Sequence, residues 1–319
     1  MHLTAEQIAF FKENGYLLLP KALDTELCAQ ARARMWSSLP PDSDLKRDDP
    51  TTHIGPFSEK DTQIAAQNLR QGYRWQLREM GTEPLMINLV YSERMMAIAE
   101  QLLGAGTLRR PIIGGVPMGS KGFAWPNGPV DPANNVEGIR GIYNTLPYGN
   151  RPKEPDHPHT DGHPFHLGLV GLINDVPPGG GGFRIWPKSH KRLYPLFRMQ
   201  YDQARIPFYE HMPSHKGILY PIGYAEEMAQ ICQDTEPVDC WGKAGDVVLW
   251  HHRMAHMAGH NHSSVIREAI LGDFSKLDLD KTRMDPPQPD MWRDWSESVR
   301  LSDGVYSQNF AQTQRLGLK

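Results

Sequence analysis

His159 and Asp161 stand two residues apart in Pro158-His159-Thr160-Asp161. In an extended strand, side chains at such spacing project from the same face. An imidazole nitrogen and a carboxylate oxygen then point the same way. They supply two of the three donors of a 2-His-1-carboxylate facial triad, a set that leaves positions open on non-haem Fe(II). The third donor must be a histidine far along the chain, and His256 is the candidate. After it comes the turn-forming stretch Met257-Ala258-Gly259-His260-Asn261-His262-Ser263, then a strand-like run from Val265 to Leu271. A hairpin closed near Asn261 and His262 predicts His256 opposite Arg267, on one face of a sheet. A guanidinium is the natural bidentate partner of a carboxylate. Open iron positions beside Arg267 therefore suit a dicarboxylic 2-oxo acid, its keto-acid end on the metal and its far carboxylate on the guanidinium.

Other residues compete for these roles. His157, His163 and His166 begin no His-x-Asp, although His163 could line a pocket. His251 and His252 compete with His256, and alternation with Val247 and Leu249 would turn His251 inward. Only His256 pairs across the expected turn with Arg267. Asn261 is either a turn residue or a hydrogen-bonding group of the site. Tyr143, Asn144, Phe165 and Trp186 are candidates to line the pocket. Asp246, after Gly245, reads as a turn residue. Ser189-His190 lacks both a Gly-x-Ser-x-Gly elbow and an oriented acid, so nucleophilic catalysis is set aside.

Taken in order, His159-Thr160-Asp161, Gly245-Asp246 before a hydrophobic strand, His256, Asn261 and Arg267 resemble the phytanoyl-CoA dioxygenase-like branch of the Fe(II)/2-oxoglutarate-dependent oxygenases. Gly180 to His190 is similar to that family's Gly-Gly…Pro-Gly-Ser-His segment, with Lys188 where Gly is common, and Leu3 to Tyr16 fits its opening. The resemblance spans roughly residues 3 to 275; residues 40 to 80, 191 to 235 and the tail match poorly. It implies a mainly β chain with flanking helices, built on a double-stranded β-helix, the jelly-roll or cupin-like core. It implies Fe(II) on His159, Asp161 and His256, with 2-oxoglutarate and O2 as cosubstrates; Arg267, Asn261 and, from the pocket candidates, Tyr143 are the expected cofactor contacts. The reaction implied is hydroxylation of an unactivated C–H of a small-molecule substrate, with release of succinate and CO2. Two rivals are a non-catalytic cupin-like binding protein and a Zn(II) hydrolase using the same three ligands. The intact triad speaks against the first, and the second leaves Arg267 without work.

The elements that must position these residues follow from the rest of the chain. Its 319 residues suit one decorated β domain. N-terminal helices are expected over about 1–105, the jelly-roll core over about 106–275 with an insertion at about 191–235, and a tail over 276–319. The aromatic-rich insertion reads as a lid or substrate-binding element. A net charge of −3 offers no basic excess for nucleic acid or an anionic membrane surface. Three cysteines, Cys28, Cys232 and Cys240, form neither a disulfide framework nor a zinc knuckle, which fits a reducing, cytoplasmic setting. No apolar run approaches a membrane span, and Glu6, Lys12 and Glu13 break any secretory signal.

Thr4 with Gln7 predicts a capping box, Asn14-Gly15 a helix end, and Asp24 and Ser92 further helix starts. Strands are expected at 16–19, 108–116, 141–146, 166–176, 183–186, 246–251 and 265–273. Residues 38–62 read as a loop. The tail is expected to pack on the outside of the barrel or at a subunit contact, which leaves a homodimer open.

Overall fold

The computed structural model describes residues 2–65, 68–110, 112–113, 116–117, 138–161, 165–196, 223–282 and 285–314. Helix α1 (Ala5–Asn14) opens with the expected box: Thr4 Oγ1 accepts from Gln7 N at 3.1 Å while Thr4 N donates to Gln7 Oε1 at 2.8 Å. It ends at Gly15, whose φ is +80° and where a Cβ would lie 2.4 Å from His190 Nδ1. Both the left-handed backbone and the close approach exclude a side chain there. Strand β1 (Tyr16–Leu19) follows, then α2 (Thr25–Trp36), capped by Asp24.

A meander of β2 (Gln63–Ile64), β3 (Asn68–Gln71) and β4 (Arg74–Leu77) follows; the sequence reading contains no such strands. Helices α3 (Pro84–Val90) and α4 (Glu93–Leu103) come next, the latter capped by Ser92. Where one strand is expected at 108–116, there are two short ones, β5 (Ile112–Ile113) and β6 (Val116–Pro117). The core then runs β7 (Gly141–Thr145), β8 (Leu167–Leu172), β9 (Phe183–Ile185), α5 (Ser189–Leu193), α6 (Tyr224–Asp234), β10 (Val238–Cys240), β11 (Val247–His251), β12 (His256–Ala258) and β13 (Arg267–Phe274). The expected insertion contributes α5 and α6 at its ends, and its middle, 197–222, lies outside the described residues. The tail carries α7 (Leu279–Thr282), α8 (Glu297–Leu301) and α9 (Gln308–Thr313).

These strands form the jelly-roll core. An eight-stranded antiparallel sheet in the order β1-β11-β8-β13-β7-β4-β3-β2 faces a three-stranded sheet, β10-β9-β12. The rings of Phe183 on β9 and Trp250 on β11, 4.8 Å apart, span the two. Alternation along β13 sorts its side chains. Glu268, Ile270, Gly272 and Phe274 face the helical layer: Glu268 takes hydrogen bonds from Arg32 Nε at 2.5 Å and Trp36 Nε1 at 3.0 Å, and Phe274 packs edge-on against Tyr91. Arg267, Ala269, Leu271 and Asp273 therefore face the barrel interior.

The tail packs on the barrel. Trp292 and Trp295 close on Phe11 and on His251, whose ring lies 5.1 Å from that of Trp295 in a stacked arrangement. His251 therefore points away from the barrel interior, a correction to the inward orientation expected from its alternation. At the free edge of β1, Gln314 Oε1 accepts from Leu18 N at 2.7 Å and Gln314 Nε2 donates to Leu18 O at 3.3 Å. A side-chain amide thus takes the place of a neighbouring strand. Among the described residues, no helix is long and apolar enough to cross a membrane.

His190 and His251, 5.3 Å apart, share this aromatic cluster. Burial lowers the His190 pKa to about 3 and pushes His251 well below its ordinary value; His166, also buried, falls to about 3. Below pH 6.5 the unfolded chain takes up protons that the folded one refuses until about pH 3. The unfolded state then binds more protons, so stability falls as pH drops through that window. Thermal melts should show a lower Tm at acid than at neutral pH, with a shallower slope in His190→Gln. A Tm independent of pH would show that the cluster opens to solvent.

Candidate metal centre

His159 and Asp161 lie in extended backbone, as their spacing predicts, while Thr160 between them points the other way. Tyr224, at the start of α6, holds Thr160: its hydroxyl lies 2.5 Å from Thr160 Oγ1 and accepts from Thr160 N at 3.3 Å. The third ligand arrives by backbone pairing. His159 and His256 form an antiparallel bridge in which each N donates to the other's carbonyl at 3.0 Å. That pairing sets the imidazole centroids 4.7 Å apart. The expected hairpin is thereby corrected. His256 pairs with His159 on one side and Ile185 on the other, while Arg267 lies in the other sheet opposite Thr145. The turn at Asn261 moves the chain between sheets instead of folding one strand back along the other.

The donor atoms converge. Asp161 Oδ1 is 3.7 Å from His159 Nε2 and 3.6 Å from His256 Nε2. One ligand atom from each of the three residues falls within 4.8 Å of the others. His256 Nδ1 lies 2.9 Å from the carbonyl of Met254, which can only accept, so Nδ1 carries the hydrogen and the Nε2 lone pair faces the cluster. The His159 side chain keeps 22% exposure against 3% for Asp161 and 5% for His256, so the cluster opens on the His159 side. Two imidazoles and one carboxylate are the donor set of a non-haem iron centre.

Two residues that the sequence reading missed complete this cluster. Arg140 Nη1 donates to Asp161 Oδ2 at 2.7 Å; its Nε and Nη2 donate to the two oxygens of Asp273 at 2.7 and 2.6 Å. Burial opposes the guanidinium charge, but Asp161 and Asp273 outweigh it and raise its pKa. The Arg140 guanidinium also lies 4.8 Å from the Phe165 ring and 5.7 Å from that of Trp250. One signal was available: alternation along the last strand puts Asp273 on the face of Arg267.

Arg267 is buried, and each of its three guanidinium nitrogens donates to a neutral oxygen of the described residues. Nε meets the Gly181 carbonyl, Nη1 the Tyr143 carbonyl and Nη2 the Thr145 hydroxyl, each at 3.1 Å. Among the described residues no acid pairs with it, and burial alone lowers its pKa to about 10. The Tyr143 side chain is half-buried and its hydroxyl accepts from Arg78 Nε at 3.1 Å. Asn261 serves the turn. Its Nδ2 donates to the carbonyls of Thr145 and Val265 at 2.9 and 2.7 Å, and its Oδ1 accepts from Ser263 N and Oγ at 3.1 and 2.7 Å.

The remaining candidates divide. Phe165 borders the cluster, and His252 Nε2 lies 3.3 Å from the Asp161 carbonyl. Trp186 sits in a separate core with Tyr224 and Met228, and Asn144 faces α2 through Met35 Sδ. Asp246 caps a turn by accepting from Lys21 N and Lys243 N. Ser189 Oγ accepts from Ala255 N, a structural role. His163 lies outside the described residues.

Residues 144–269 match the family model described as phytanoyl-CoA dioxygenase (PhyH). That stretch contains His159, Asp161, His256, Asn261 and Arg267 and the Gly180 to His190 segment; Leu3 to Tyr16, which also carries the resemblance, lies outside it. No curated protein matches the chain. Solved structures similar to it include the non-heme α-ketoglutarate-dependent carbocyclase SnoK from nogalamycin biosynthesis, 19% identical over 92% of this chain and 95% of that one, TM-score 0.46. EctD from S. alaskensis with bound Fe is 17% identical over 86% and 76%, TM-score 0.48. AviO1 from Streptomyces viridochromogenes Tue57 is 16% identical over 85% and 94%, TM-score 0.44.

Gly168 faces Trp250 across the sheet, and a Cβ there would lie 2.2 Å from the indole. That indole packs against His256, with centroids 5.6 Å apart. Gly168→Ala should therefore cost about 1–3 kcal/mol through overpacking and weaken divalent-metal binding as the indole presses on the ligand. A thermal melt and a Co(II) titration check this; wild-type values in both would show that the indole shifts freely.

Proposed function

We propose that this chain is an Fe(II)- and 2-oxoglutarate-dependent dioxygenase that hydroxylates an unactivated C–H of a small-molecule substrate, with release of succinate and CO2. The observation that carries this reading is a buried guanidinium, Arg267, without an acidic partner among the described residues, in the same barrel interior as a His-Asp-His cluster. An unpaired buried charge is costly, so a site that keeps one is built for an anion. The planar fork of Arg267, with the Thr145 hydroxyl at 3.1 Å beside it, suits a carboxylate. The metal cluster and Arg267 together match the two ends of a dicarboxylic 2-oxo acid. A metal-only hydrolase would leave Arg267 unused.

His159, Asp161 and His256 would hold Fe(II). When bound, the iron supplies the oxidative chemistry that couples O2 to decarboxylation of the 2-oxo acid and to attack on a C–H bond. The chain's own contribution is placement. His256 is fixed in one tautomer by the Met254 carbonyl, and Thr160 is tied to α6, so two ligands face inward together. Arg267 fixes the far carboxylate, and the buried walls of Phe165, Phe183 and Trp250 exclude water on the inner side.

Arg267→Lys keeps the charge and loses the fork. Charge-assisted hydrogen bonds contribute about 1.5–3 kcal/mol, so losing one should raise the half-saturating 2-oxoglutarate concentration by about tenfold to a hundredfold. Fe(II) affinity without cosubstrate should stay at the wild-type value. His256→Ala should abolish both Fe(II) binding and succinate release while the fold persists. An unchanged 2-oxoglutarate requirement in Arg267→Lys, measured by succinate release, would place the cosubstrate elsewhere.

A further inference from the structure

We infer that Arg140 and Asp273 act as a positioning pair for the metal: they confine Asp161 to one donor oxygen while leaving that carboxylate its negative charge. The inference rests on the metal half of the reading above and not on 2-oxoglutarate. Both histidine Nε2 atoms face Asp161 Oδ1, at 3.6 and 3.7 Å, so Oδ1 is the metal-facing oxygen. Oδ2 is taken by Arg140 Nη1 at 2.7 Å. A carboxylate held by one oxygen in this way cannot turn both oxygens to a metal, and a position is kept open for other ligands.

The guanidinium is itself fixed. Its Nε and Nη2 are both spent on Asp273, and Phe165 and Trp250 lie against it. It cannot swing to take both oxygens of Asp161. Asp273 also sets the charge. Two carboxylates and one guanidinium are in direct contact here, so within this trio of described side chains one negative charge is left over. Without Asp273 the guanidinium would cancel Asp161 alone, and a divalent ion would meet a neutral donor set. Arg140 thus supplies geometry, and Asp273 prevents that geometry from weakening the ligand.

The test is Co(II) titration of the chelator-treated full chain, with a thermal melt of each variant. Asp273→Asn should weaken Co(II) about tenfold to a hundredfold, the usual range for outer partners of metal ligands. Arg140→Gln/Asp273→Asn removes one positive and one negative charge together, which returns the negative charge of the donor set, and should bind Co(II) more tightly than Asp273→Asn alone. A merely structural pair would lower Tm in both variants and leave Co(II) affinity of the folded protein unchanged; that result, or a double variant as weak as the single, overturns the inference. If Asp273→Asn does not fold, Arg140→Lys decides: it keeps the charge and loses the fork that joins both carboxylates, so a folded variant with Co(II) affinity about tenfold weaker supports the pairing, and wild-type affinity overturns it. Failure of the wild-type chain to bind Co(II) would overturn the metal centre as well, whereas normal wild-type binding with an indifferent Asp273→Asn overturns the pairing alone.

Discussion

Two backbone hydrogen bonds between His159 and His256, each 3.0 Å long, hold the site together. They make two ligands cross-strand neighbours, so the separation of the imidazoles follows from the geometry of an antiparallel pair and needs no precise loop. The three-stranded sheet continues from that pair through Ile185, and the position of this sheet over the larger one decides which interior groups the ligands meet. Tyr224 reaches the same segment from the far side through Thr160, so α6 and the small sheet hold the His-x-Asp strand between them.

The interior so enclosed carries several charges. Arg140, Asp161, Asp273 and Arg267 are all buried, and buried charge persists only where it is paired or has a ligand to meet. The first three satisfy one another. Each guanidinium nitrogen of Arg267 donates to a neutral oxygen, and its fork faces the part of the barrel where β7 and the Gly180–Gly181 segment come together. Among the described residues, one guanidinium thus lies between two carboxylates and the other beside none.

Much of this was legible in the sequence wherever the governing signal is local. His159 and Asp161 could be read because strand alternation is a two-residue rule. The Thr4–Gln7 box and the Asp24 and Ser92 caps could be read because capping acts within a single turn. The partner of His256 could not, because a turn followed by a strand reads the same whether the chain folds back or crosses to a facing sheet. Arg140 and Asp273 were hidden for a related reason: their contact joins residues 133 positions apart. His251 was misplaced because alternation gives two faces without saying which is inside, and Trp292 and Trp295, far along the chain, settled it.

The amide of Gln314 on the edge of β1 links residues 296 positions apart. The first strand of the sheet therefore acquires its outer neighbour only after nearly all of the described chain has been synthesised. Until then Leu18 presents a free donor and acceptor beside an apolar strand, the kind of edge onto which another polypeptide can add. The side chain that covers this edge lies just past the last described helix, so disorder of that one segment would reopen the edge of a strand from the other end of the described chain.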